Sequence, residues 1–190
     1  VAQDSAGPGR PRSDVARRAV LEAADDLLVE VGYAAMTMKG IAERAGVGRQ
    51  TVYRWWATKA EILVEACLED VREELVATPL PTARAELVSY LDALGRFLTT
   101  SPAGLAYRAL LGEAQHDPAV RDLVREADVV STATGEVLRR VRPTAPAMPT
   151  PALAAAQLVG PILTRVLEVD DEFSPELLDA HAELLLKAWS

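Results

Sequence analysis

The side chains best equipped for specific chemistry fall together in one short stretch: Arg49, Gln50, Thr51, Tyr53, Arg54 and Trp55. All can donate hydrogen bonds, and nothing in the stretch is built to catalyse. Arginine can fork onto O6 and N7 of guanine, and glutamine onto N6 and N7 of adenine. The Thr51 methyl suits a thymine methyl, while the Tyr53 hydroxyl and the Trp55 indole can donate to phosphates. The chemistry on offer is recognition of duplex DNA.

Such a cluster needs a helix to carry it and a second helix to brace it. Thr37 stands where an N-cap belongs, its hydroxyl able to accept an unpaired backbone N–H. Ile41, Ala42 and Ala45 then recur at helical spacing as one apolar stripe. Gly46 ends this helix, because glycine enters the left-handed region without strain. In the next helix Val52 and Trp56, four residues apart, turn inward and leave Arg49, Gln50, Tyr53 and Arg54 on the other side. This is the layout of a helix-turn-helix. Any polar surface helix presents a similar face, so charge has to decide. From residue 39 to 59 the basic residues are Lys39, Arg44, Arg49, Arg54 and Lys59 against the single acid Glu43, a balance of 5 − 1 = +4 on a chain whose net charge is −8. A basic island on an acidic protein fits phosphate contact and argues against a general nucleic-acid coat.

The run from Ser13 to about Leu75 resembles the N-terminal DNA-binding domain of the tetracycline-repressor-like (TetR/AcrR) transcription regulators. The resemblance rests on Val31-Gly32-Tyr33, on Thr37, Ile41-Ala42 and Ala45-Gly46-Val47, on Tyr53-Arg54-Trp55-Trp56, and on Thr58-Lys59-Ala60-Glu61-Ile62-Leu63. It implies that Tyr53 and Lys59 contact phosphate and that Arg49, Gln50 and Arg54 enter the groove. Thr37, Lys39, Arg44, Gly48, Thr51 and Trp55 complete the expected interface. Three positions depart from the family pattern: Gly48 replaces a capping serine, Ala57 a common proline and Trp55 a common histidine. Gly40, inside the first helix of the motif, costs about 0.8–1 kcal/mol relative to alanine.

With 190 residues and 49% hydrophobic content the chain can bury a sizeable core. No strand pattern appears, and the expected fold is all-α with about nine helices. Residues 1–12, rich in glycine and proline, are expected to form a flexible arm. Its Gly9-Arg10-Pro11-Arg12 reads either as a minor-groove hook or as a solubilising tail. Residues 13–57 form the helix-turn-helix domain, 58–77 a connecting helix and 78–190 a helical body. Ala16, Ala19, Val20, Ala23, Leu27, Leu28 and Val31 mark the buried face of the first helix, and Arg17 and Arg18 beside its start suggest a nearby phosphate. Thr58-x-x-Glu61 is a capping box. Asp117-Pro118, Thr150-Pro151 and Ser174-Pro175 open later helices, the first expected to run to about Val141. The lone Cys67 reads as a small buried residue or, less simply, a redox sensor. No segment suits a secretory signal or a membrane span, so a cytoplasmic location without membrane partners is expected.

In the body, Tyr90, Leu94, Phe97, Tyr107 and Leu111 could wall an apolar cavity with Arg108, Glu113 and His116 as polar anchors, although aromatics at helical spacing equally describe plain core. The resemblance implies an effector pocket in this region, without naming its ligand, and a dimer interface. Leu184-Leu185-Leu186 spans about 200° of helix and exceeds one packed face. Leu153, Gly160, Leu163, Leu167, Leu178, Leu185 and Trp189 are the residues expected at a two-fold interface. There is no HExxH, Walker loop, GxSxG or metal-spaced Cys/His cluster, so neither enzyme, metal nor cofactor is expected. The sequence therefore predicts a dimeric, ligand-responsive repressor binding a near-palindromic DNA operator. The alternative is a constitutive DNA-binding or activating protein without a small-molecule switch.

Overall fold

A computed structural model describes residues 10–75, 79–168 and 173–190. The side chains of residues 10–13, 72 and 73 lie outside that description, as do residues 1–9 of the expected arm and Thr78. Every regular element among the described residues is helical: α1 (Arg10–Ala35), α2 (Met38–Arg44), α3 (Arg49–Trp55), α4 (Lys59–Glu74), α5 (Ala83–Thr100), α6 (Pro102–Glu113), α7 (Pro118–Ala127), α8 (Ser131–Val141), a 3-10 turn at Arg142–Thr144, α9 (Pro151–Glu168) and α10 (Pro175–Ala188). The all-α expectation holds. The helix expected from Asp117 to about Val141 is two helices, because Asp128 adopts φ 50° and ψ 42°, caps α7 in the left-handed region, and lets the chain restart at Ser131. Aspartate is one of the few side chains that enter this region at modest cost.

Side-chain caps set most of the helix starts. Thr37, Thr82, Ser101, Asp117 and Ser174 each accept a backbone N–H from the first turn of the helix they precede, and proline follows the last three. Each such cap contributes about 1 kcal/mol.

The chain divides into two compact units, Val1–Ala66 and Cys67–Ser190, with the boundary inside α4. The core of the first unit is built from Val20, Leu21, Ala24 and Leu28 of α1, Ile41 and Ala42 of α2, Val52 and Trp56 at α3, and Ile62 and Leu63 of α4. Val31, expected in that core, is instead 50% exposed. Gly32 breaks α1 beside it with φ 75° and ψ 164°, and Met36 beyond the break is the side chain that reaches the interior.

In the second unit α5 packs against α6, α8, α9 and α10. It is accordingly apolar on more than one side, burying Leu87, Tyr90, Leu91, Leu94, Phe97 and Leu98. The α5–α6 turn requires glycine at position 104, where a Cβ would lie 1.7 Å from the Phe97 carbonyl oxygen. Glu86 is buried beside Arg140. Burial works to raise its pKa, but hydrogen bonds from the Arg140 guanidinium and the Leu80 N–H outweigh that and hold it below the ordinary glutamate range. Cys67 is buried, its thiol donating to the Ala103 carbonyl at 3.1 Å, which is the small-core-residue reading.

Candidate nucleic-acid interface

Two seven-residue helices, too short to be stable alone, make the recognition surface, so tertiary contacts must hold them. At the start of α2 the Thr37 hydroxyl accepts the Gly40 N–H at 3.0 Å. At its end Gly46, with φ 66°, reverses the chain. The α3 N-cap is Gly48, which offers no side-chain cap. What fixes α3 is its inward pair: Val52 is fully buried, and Trp56 is buried with its indole N–H donating to Glu65 of α4 at 2.7 Å. Glu65 also pairs with Arg17 of α1. One carboxylate thus ties α1 and α4 to the end of the recognition helix.

The outer face of α3 carries Arg49, Gln50, Tyr53 and Arg54, all exposed, with Thr51 and Trp55 half-buried. Arg54 lies 5.3 Å from the Trp55 ring centroid, and Trp55 meets Trp56 edge-on at 5.4 Å. A face of this kind can meet base edges and phosphates together. Gly48 is exposed at the helix start, where an added Cβ would meet nothing closer than the Thr51 hydroxyl at 3.9 Å. Lys39 is exposed and only loosely paired with Glu43 at 3.6 Å.

Three residues named from the sequence have internal partners. Thr37 spends its hydroxyl on the cap. Arg44 forms a two-pronged pair with Glu30 at 2.8 and 2.5 Å, with Asp26 at 3.6 Å, joining α2 to α1. The Arg44 guanidinium holds the Glu30 carboxyl below its ordinary range. Lys59 directs its ammonium inward, donating to the carbonyls of Tyr33 at 2.5 Å and Met36 at 3.0 Å and lying 4.1 Å from the Tyr33 ring centroid. Those carbonyls belong to the segment just past the Gly32 break, so the lysine closes a chain reversal. Arg17, read as a phosphate neighbour, is the residue that meets Glu65. Glu30 and Glu65 had no signal in the sequence, since their partners lie 14 and 9 or more residues away and on other helices.

The Thr58–Glu61 box forms with a twist. The Glu61 N–H donates to the Thr58 hydroxyl at 3.2 Å, while the Glu61 carboxylate reaches one residue further back, to the Ala57 N–H at 2.8 Å.

In the second unit the expected ligand residues scatter. Tyr90, Leu94 and Phe97 are fully packed in the core. The Tyr90 hydroxyl is bonded to Thr134 at 2.6 Å, and burial pushes its pKa up to about 12. Tyr107 stacks obliquely on Phe97 at 6.5 Å, Arg108 caps the Leu98 carbonyl at 3.2 Å, and Leu111 and Glu113 are half-buried, whereas His116 is exposed in the turn after α6. None of these eight lines the 340 Å³ cleft formed by α4, α8 and the α7–α8 break. The expected dimer residues also divide. Leu178, Leu185 and Trp189 are buried in their own chain, the Trp189 indole donating to Gln157 at 2.9 Å. Leu153 and Leu167 are exposed, and Gly160 and Leu163 are partly so. The correction is one of helical phase: Leu177 and Leu184, not Leu178 and Leu185, point outward on α10.

A capped seven-residue helix, a glycine turn and a braced second helix with a polar outer face define a helix-turn-helix protein. Residues 20–66 match the family model for bacterial regulatory proteins of the tetR family. The uncharacterized HTH-type transcriptional regulator YdeS of Bacillus subtilis is 38% identical over 109 residues, 57% of this chain and 54% of YdeS, so the match spans about half the relative's length. The crystal structure of the TetR family transcription regulator SCO0332 superposes with a TM-score of 0.74 at 26% identity, covering 91% of this chain and 97% of that one. The regulator FadR from Bacillus subtilis, solved in complex with stearoyl-CoA, shares the fold with a TM-score of 0.66 at 20% identity over 90% of this chain and 98% of its own. Residues 20–66 thus match the DNA-binding domain of the tetR family, and the chain shares its fold with solved TetR-family regulators.

Proposed function

We propose that this chain is a dimeric transcriptional repressor that binds a near-palindromic operator through α3 and is released by a small-molecule effector. The observation that carries the reading is the outer face of α3, where Arg49, Gln50, Tyr53 and Arg54 stand exposed on a helix anchored by Val52 and by the Trp56–Glu65 hydrogen bond. Two copies of such a helix, related by a two-fold axis, read half-sites about one helical turn or a multiple of it apart. Support for the dimer comes from α9 and α10. Leu153 and Leu167 are 52% and 54% exposed, Leu177 and Leu184 41% and 64%, a density of bare leucine that water does not favour and a second copy would cover. Support for the effector comes from the cleft beside α4 and from the ligand held by FadR. An effector lowers operator affinity only in so far as it binds the DNA-competent arrangement less well than another. Lys59 and Arg44 hold the DNA-binding unit together in this account; Arg49, Gln50, Tyr53 and Arg54 meet DNA.

The test is selection of bound sequences from a random duplex pool at near-physiological salt. A palindrome with a fixed half-site spacing is the expected product. A pool that retains affinity but enriches no sequence would reduce the α3 face to a backbone binder and overturn the reading.

A further inference from the structure

The cleft in the second unit carries information about its occupant. Leu68 and Val71 of α4 and Leu75 just past its end form one wall, and Asp128 at the α7–α8 break, with Thr132 and Glu136 of α8, forms the other. At 340 Å³ it falls at the small end of the range for ligand sites, roughly 300–1,000 Å³. Its described lining holds two carboxylates and no lysine or arginine. Neither carboxylate has an ion-pair or hydrogen-bond partner among the described residues. Of the guanidiniums on α7 and α8, Arg121 donates to the Ala114 carbonyl at 3.0 Å, Arg125 pairs with Asp122 at 3.2 Å and Arg140 with Glu86 at 2.8 Å, while Arg139 is exposed on α8. Burial raises the pKa of the nearby Tyr107 phenol, with smaller contributions from Cys67 and Asp128.

We infer that this cleft binds a compact organic cation, an alkyl or aryl body against Leu68, Val71 and Leu75 with an ammonium group between Asp128 and Glu136. The inference rests on the reading of the second unit as an effector domain and names the class of effector. An acyl-CoA is the wrong chemistry here, because its phosphates need guanidinium or ammonium partners and would meet two carboxylates. A bare divalent cation is also wrong, since half of the wall is hydrocarbon and a hard ion needs six or more oxygens or retained waters. A weakly hydrated ammonium with an apolar body satisfies both walls at once.

The test uses the full chain and four probes in calorimetric titrations: benzyltrimethylammonium, benzyltributylammonium, neutral N-benzylacetamide and anionic phenylacetate. At least one ammonium should bind saturably, with the neutral and anionic probes roughly tenfold weaker or undetectable. Asp128→Asn and Glu136→Gln should each weaken the ammonium by roughly three- to tenfold. Both variants are expected to fold, because asparagine enters the left-handed region as readily as aspartate and Glu136 is exposed; unchanged melting curves check this. Equal binding of N-benzylacetamide, undiminished ammonium binding by both carboxamide variants, or no ammonium binding at all overturns the inference. Adding the selected duplex separates it from the functional reading above. Carboxylate-dependent ammonium binding that leaves DNA affinity unchanged upholds the site and removes the switch. Release of the duplex by a different small molecule, with neither ammonium bound, upholds the switch and removes this site.

Discussion

Helix α3 and the α9–α10 pair both expose more than their own packing requires, and they expose opposite things. On α3 the surplus is hydrogen-bond donors: two arginines, a glutamine and a tyrosine. On α9 and α10 it is leucine, at positions 153, 167, 177 and 184. A donor-rich face is stable in water and gains by exchanging water for fixed acceptors, which suits a polyanion met and left repeatedly. A leucine face is costly in water, at roughly 25 cal/mol per Å² of apolar surface, which suits a surface covered once and kept covered. The bracing differs to match. The small unit is held by polar clamps, Glu65 on Trp56 at the end of α3 and Lys59 on the Tyr33 and Met36 carbonyls at the end of α1. The larger unit relies on close backbone approach and hydrocarbon, with Gly104 against Phe97 and an α5 buried on most sides.

The largest effect should separate two adjacent leucines. Leu185→Glu puts a charge into the core and should cost about 4 kcal/mol or abolish folding, read by chemical denaturation. Leu184→Glu should leave the chain folded and convert dimers to monomers in sedimentation equilibrium. If Leu184→Glu stayed dimeric, the exposed leucines would not be the interface. Gly104→Ala comes next, at about 3 kcal/mol, because the Phe97 backbone has to move. Its failure to destabilise would mean that the α5–α6 turn is looser than its geometry. Lys59→Ala should cost the DNA-binding unit about 2 kcal/mol through two lost charge-assisted hydrogen bonds. The salt dependence of DNA binding should hardly change. A fall of about one in the slope would place the ammonium on a phosphate instead. The smallest effect is expected from Gly48→Ser, which enters open space, restores a cap hydroxyl and should stabilise by a few tenths of a kcal/mol.

The two regions were unequally legible in sequence. Local rules wrote the helix starts, so Thr37, Asp117-Pro118 and Ser174-Pro175 could be read as caps without knowing the fold. The polar face of α3 was legible for the same reason, since seven residues and a period of 3.6 determine which side faces out once Val52 and Trp56 are inward. Long-range pairing was not. Nothing near Arg44 in sequence announces Glu30, and Lys59 has the charge of a phosphate contact whether or not it turns toward Tyr33. On α10 three consecutive leucines showed that one face was insufficient but not which leucine belonged to which, and a one-residue phase error exchanged core for surface. The cleft was invisible because its walls come from α4 and α8, far apart in sequence, and because the left-handed Asp128 between α7 and α8 is concealed by a continuous helical pattern.

The most direct test of the central claim, that the exposed donors of α3 read bases, is to repeat the duplex selection with the Arg49→Ala and Gln50→Ala variants beside the natural chain. Each variant should lose about 1–3 kcal/mol of discrimination at one base pair in each half-site, symmetrically, with the rest of the palindrome and its spacing unchanged. Identical selected sequences from all three proteins would contradict it.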